Sequence, residues 1–112
     1  PEIGTVGLSE EDARKKGLDV DTATVNFRVL GKAHAIDEIA GEAKMIVEKM
    51  SGRVLGVHLI GPHTTDLIAE ATLAVEKGLT ARDIAHTIHA HPTLAEIMGE
   101  VAAKVTGMPL HG

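Results

Sequence analysis

Ala43-Lys44-Met45-Ile46-Val47-Glu48-Lys49-Met50 and Arg53-Val54-Leu55-Gly56-Val57-His58-Leu59-Ile60, separated by Ser51-Gly52, read as two β-strands folded back on each other. A Ser-Gly pair between apolar runs is a hairpin signal, because glycine takes the positive φ of a tight reversal without steric cost. The second run is apolar at both parities, so it belongs inside a sheet rather than at its edge. Toward the N-terminus, residues 24–29 alternate, with Val25, Phe27 and Val29 on one face and Thr24, Asn26 and Arg28 on the other. Residues 3–8 read as a further short strand. Ser9-Glu10-Glu11-Asp12 opens a short helix that Gly17 is placed to end. Residues 31–41 look like a connection, extended at 33–36.

Toward the C-terminus the period changes. Gly61-Pro62 closes the strand, and a helix is expected over 65–77, with Leu67, Ile68, Ala71, Ala74 and Val75 inward and Gly78 as its stop. Thr80-Ala81-Arg82-Asp83 starts a second short helix ending near Ile88. Leu94, Ile97, Met98, Val101, Ala102 and Val105 then trace one face of a last helix. Strands followed by grouped helices define an α+β class, an antiparallel sheet with helices packed on it.

Composition narrows the function. The chain has 112 residues, read as a single domain over 1–112, 44% hydrophobic and 24% charged, with a net charge of −5 and no Lys/Arg cluster. That balance argues against nucleic acid as a partner. No apolar run is long enough to span a bilayer and no signal-peptide pattern is present, so no membrane partner is expected. The absence of cysteine excludes a disulfide, a cysteine zinc site and a thiol nucleophile within this chain. One Phe and no Trp or Tyr require an aliphatic core. Gly4 and Gly7 lack the third glycine and strand-to-helix setting of a dinucleotide-binding loop.

Chemistry concentrates in His89-Ala90-His91-Pro92-Thr93-Leu94-Ala95-Glu96. An imidazole oriented by a carboxylate is a proton-handling pair near neutral pH. The same residues support plainer readings. Thr93 to Glu96 fits a capping box, with Thr93 as N-cap and Glu96 reaching back to its amide, and His91 is then a loop histidine before the helix. His89 and His91, two apart in an extended stretch, could bite a metal with His86 or Glu96, but Pro92 disturbs that geometry and no metal is expected. His58, within the apolar strand, reads as a hydrogen-bonded core or interface residue, and His63 as a helix-entry residue. His34 and His111 carry no signal. Asp66 and Glu70 read as acidic residues near a helix start, favoured by its dipole.

The segment His89-Ala90-His91-Pro92-Thr93-Leu94-Ala95-Glu96 resembles the C-terminal signature of the dihydrolipoamide dehydrogenase family of flavoprotein disulfide reductases, the pyridine nucleotide-disulfide oxidoreductases. Residues 1–11, Pro1-Glu2-Ile3-Gly4-Thr5-Val6-Gly7-Leu8-Ser9-Glu10-Glu11, resemble the opening of that family's interface domain. Residues 52–63 and Ile68-Ala69-Glu70 resemble its central strand and following helix, and residues 107–111 its C-terminus. The resemblance implies a C-terminal dimerisation domain, cut at Pro1 from a parent whose FAD- and NAD-binding domains and redox disulfide lie upstream.

In this family the His-Glu dyad of one subunit serves the redox disulfide and flavin of the other. His91 then matches the base that takes a proton from the dihydrolipoamide thiol, and Glu96 its orienting carboxylate. Pro92 matches a proline that follows a cis bond, and His89 and Pro92 bring backbone close to the partner's FAD. The expected partners are a second copy, in a homodimer, and the lipoyl domains of 2-oxoacid dehydrogenase complexes. The expected location is the cytoplasm, or the mitochondrial matrix in a eukaryote. The chain by itself is expected to hold neither FAD nor NAD and to be inactive. The alternatives are a stand-alone interaction or metal-binding module of the same fold, or a glutathione-reductase-like relative, although His89 favours the lipoamide enzyme.

Overall fold

In a computed structural model describing residues 1–107, four antiparallel strands form one sheet in the order β1-β4-β3-β2. These are β1 (Glu2–Gly7), β2 (Val20–Asn26), β3 (Glu42–Glu48) and β4 (Val54–Gly61). The hairpin read from the sequence pairs β3 with β4, and Gly52 turns its corner at φ 75°. β4 lies between β1 and β3, as its two apolar faces require.

The register shifts between Ile46 and Val47, which face Gly56 and Val54 respectively, so β4 carries one extra residue there. Such a bulge flips the side-chain phase. Val54, Val57 and Leu59 therefore all join the larger core, while Leu55 joins Ile46, Ala13 and Val20 in a smaller one, packed by Leu8 and Leu18. At Gly56 a Cβ would collide with the Leu8 carbonyl oxygen, so β1 and β4 can close only over a glycine.

Among the described residues five α-helices accompany the sheet: α1 (Glu10–Lys15), α2 (Gly31–Ala35), α3 (Thr64–Lys77), α4 (Ala81–His86) and α5 (Glu96–Val105). α3 lies on β1 and β4, α5 lies on β2 and β3, and α4 packs on α5. Ser9 caps α1 by accepting from the Asp12 amide, and Gly78, left-handed at φ 67°, ends α3. The main core is aliphatic apart from Phe27, with Met45, Val57, Leu59, Ile97, Met98 and Val101 fully buried. Burying a side chain of this size stabilises the fold by about 1.5–3 kcal/mol. The radius of gyration is 12.9 Å.

Three expectations need correction. Residues 33–36 are not extended: α2 runs over Gly31–Ala35. Leu30, Ala33 and Ile36 all meet the core at a spacing of three, which suits a helix and not a strand. The strand placed at 24–29 is β2, which starts earlier, at Val20, and ends at Asn26. Phe27–Val29 is a 3₁₀ turn that carries the Phe27 ring under Gly61. α4 stops at His86 rather than near Ile88, because the backbone becomes extended at Thr87. Residues 108–111 of the C-terminal likeness, His111 included, lie outside the described residues.

Candidate functional site

The site begins where α4 ends. Thr80 and Asp83 form a complete capping box at the start of α4, and the Thr80 amide and hydroxyl hold the Asp83 carboxyl below the usual carboxylate range. Beyond Thr87 the chain exposes Ile88 almost wholly, and the next side chain, His89, turns inward. His91-Pro92 is a cis peptide bond. Thr93 Oγ1 donates to the Ala90 carbonyl at 2.6 Å, closing the segment on itself.

Here the capping expectation is half met. Glu96 Oε2 accepts from the Thr93 amide at 3.1 Å, as a capping carboxylate should. The Thr93 hydroxyl, however, is turned to Ala90, and α5 starts at Glu96 with Ala95 as its N-cap. Bonds from Ile97 N to Leu94 O and from Met98 N to Ala95 O form a tighter turn that delays the helix.

The other carboxylate oxygen of Glu96 meets His91. Nδ1 and Oε1 stand 2.7 Å apart, with the His91 side chain 73% exposed and that of Glu96 only 17%. The carboxylate is thus sheltered and fixed while the imidazole projects. With Nδ1 donating to an ionised Glu96, Nε2 is left as the acceptor, which is the arrangement of a general base. His91 and Glu96 are brought together as the sequence pattern anticipates.

His89 goes elsewhere. Its Nε2 lies 2.8 Å from Glu70 Oε2 on α3, and its side chain is 11% exposed. The other ring nitrogen faces Gly99 of α5, where a Cβ would stand 3.1 Å from Nδ1. The two imidazoles therefore take different carboxylates, and among the described residues no group of three His, Cys, Asp or Glu could hold a metal ion. Of the residues expected near a flavin, Pro92 is exposed, and His89 could approach only through its backbone. Beside them a cavity of about 190 Å³ is lined by Ala85, Thr87, Ile88, His89, Glu96, Gly99 and Glu100.

Glu70 is the residue that sequence reasoning missed. It lies mid-helix rather than at a helix start, nineteen positions from His89. Only its place on the same α3 face as Leu67 and Ala74 hints that it meets something inward. His58 is hydrogen-bonded through Nε2 to the Leu8 carbonyl at 2.9 Å, in line with its core reading, and His63 sits at the N-cap of α3.

Comparison with known proteins agrees with this architecture. The family described as pyridine nucleotide-disulphide oxidoreductase, dimerisation domain, matches residues 1–102. The chain belongs to that family. Dihydrolipoyl dehydrogenase of Geobacillus stearothermophilus is 46% identical over 111 residues, and that of Bacillus subtilis (strain 168) is 44% identical. Each match covers 99% of this chain and 24% of the relative. The chain therefore spans about a quarter of the length of these enzymes. Among solved structures, the HOCl-induced flavoprotein disulfide reductase RclA from Escherichia coli superposes with a TM-score of 0.87 at 25% identity, over 92% of this chain and 24% of that one. LpdA from Mycobacterium tuberculosis shares the fold at the same TM-score and 24% identity, over 93% and 23% of the two chains. Among the described residues, no helix is long and apolar enough to cross a membrane.

Proposed function

We propose that this domain serves a dihydrolipoamide dehydrogenase by lending His91 and Glu96 to the redox disulfide and flavin of a partner subunit. The observation that carries the reading is the 2.7 Å contact between the sheltered Glu96 carboxylate and the exposed His91 ring. Its support from relatives is that the two similar proteins above are dihydrolipoyl dehydrogenases. FAD and NAD bound by the parent enzyme supply the electron path. The donor set here suits a proton acceptor that faces outward, and the chain holds no thiol of its own to serve.

His91 Nε2 takes the proton of one dihydrolipoamide thiol, and the resulting thiolate attacks one sulfur of the partner's disulfide, breaking that S–S bond and releasing the other cysteine as a thiolate. Glu96 holds the ring by Nδ1 and balances the imidazolium charge as the proton arrives. The second dihydrolipoamide thiol then attacks the substrate sulfur of the mixed disulfide, closing the lipoamide disulfide and expelling the remaining partner cysteine, which takes up that thiol's proton. The parent is a homodimer, in keeping with a dimerisation domain whose base serves a disulfide on the other subunit. Its substrates are the lipoyl domains of 2-oxoacid dehydrogenase complexes, and its location is the cytoplasm or the mitochondrial matrix. The domain by itself carries no flavin and no dehydrogenase activity.

The test is rapid-reaction flavin reduction by dihydrolipoamide in the intact enzyme bearing His91→Gln. A large deficit is expected, and a wild-type rate overturns the assignment.

A further inference from the structure

We propose that Glu70 and Gly99 are positioning residues, which clamp the His89 ring and thereby set where His91 stands. The proposal rests on the acid–base reading of His91 and Glu96. Its starting point is that the segment after α4 is tied to α5 only from its downstream side. Thr93 to Ala90 closes the loop on itself, while Thr93 to Glu96 and His91 to Glu96 join it to the first residue of α5.

Placement comes from its two ends. Downstream, Leu94 is buried in the main core. Upstream, Ile88 is bare to solvent, and the inward side chain is His89. His89 is held on two sides by two different elements, the Glu70 carboxylate of α3 at 2.8 Å and the bare backbone of Gly99 on α5. The contact from Nε2 to the Glu70 carboxylate on one side and Gly99 on the other fix the orientation of the ring. Nothing larger than glycine at position 99 leaves the ring its place without a shift of a few tenths of an ångström. His91 lies two residues on, so displacement of His89 moves the His91 backbone directly. A catalytic group misplaced by about 1 Å can cost about 10²-fold in rate.

The experiment uses the intact flavoenzyme and compares flavin reduction by dihydrolipoamide with flavin reduction by NADH, which does not call on His91. Glu70→Ala should slow the dihydrolipoamide reaction by about 10- to 100-fold and leave the NADH reaction unchanged. Glu70→Gln should restore most of the rate, since its amide oxygen still accepts from Nε2–H. Gly99→Ala should produce a smaller loss, again only with dihydrolipoamide. A wild-type rate for Glu70→Ala, an equal loss in both reactions, or Gln faring no better than Ala would each overturn the proposal. His91→Gln is the control for the underlying reading. If it reacts normally the base assignment falls and the positioning role with it, whereas a slow His91→Gln beside a normal Glu70→Ala overturns positioning alone.

Discussion

Two histidine–carboxylate pairs stand two residues apart in this domain and differ in nearly every physical respect. His91 and Glu96 are five positions apart in sequence, and the ring is exposed. His89 and Glu70 are nineteen positions apart, and the ring is enclosed between two helices. The contact distances, 2.7 and 2.8 Å, are the same within any meaningful difference. Hydrogen-bond length therefore does not distinguish the two pairs. Exposure does: the His91 ring is open to solvent and the His89 ring is not.

The largest effect expected from breaking this contrast is at the exposed pair. His91→Gln keeps a hydrogen-bonding side chain and removes the titrating group, so flavin reduction by dihydrolipoamide should fall by ~10²–10⁴-fold in the intact enzyme. Glu96→Gln should cost less, since the base survives with weaker orientation. Combined with His91→Gln it should add little, because the two residues act as a unit. Stopped-flow traces of the single and double variants would decide this, and additive losses would separate the residues.

The enclosed pair should respond more mildly. His89→Ala is expected to lower the same rate by about 10- to 100-fold, as Glu70→Ala does and less than His91→Gln, by letting the loop drift. It should show no further loss when Glu70→Ala is added. Independent losses in that pair of variants would mean that His89 and Glu70 do not act through one contact.

The smallest effect concerns the helix that delivers both histidines. Hydrogen bonds from Thr80 depress the folded-state pKa of Asp83, so the unfolded chain takes up its proton at higher pH than the folded one. The stability contributed by this cap is present above the ordinary aspartate range and is lost as pH falls through the depressed value. Asp83→Ala should therefore lower the thermal midpoint at neutral pH, and its difference from wild type should shrink as the solution is acidified. Melting curves across that range test it, and a difference independent of pH would remove the ionised cap from the account.

Legibility in the sequence follows the range of each interaction. The β3–β4 hairpin, the central place of β4 and the amphipathic faces of α3 and α5 rest on neighbours within a few residues, where periodicity speaks. The bulge at Leu55 was not readable, because an extra residue in one strand shows only against its partner. Residues 31–35 misled because the stretch is short and opens on a glycine, which outweighed the helix preference of Lys32, Ala33 and Ala35, and the buried Leu30 and Ala33 decide the helix through tertiary contact. The His91–Glu96 spacing could be seen in the sequence, although spacing alone fitted a cap as well as a dyad. Glu70 stayed hidden because nothing local to a mid-helix carboxylate names a histidine nineteen positions away.

The Glu96 carboxylate divides its two oxygens between tasks, Oε1 to the His91 ring and Oε2 to the Thr93 amide. One side chain is thus a shared fastener for a turn of backbone and for an exposed imidazole. Neither can be adjusted alone: a change that loosens the approach to α5 also turns the imidazole, and a change that retunes the imidazole disturbs how that helix is approached. Improving the domain's robustness at this point and altering its chemistry are, in consequence, a single design problem.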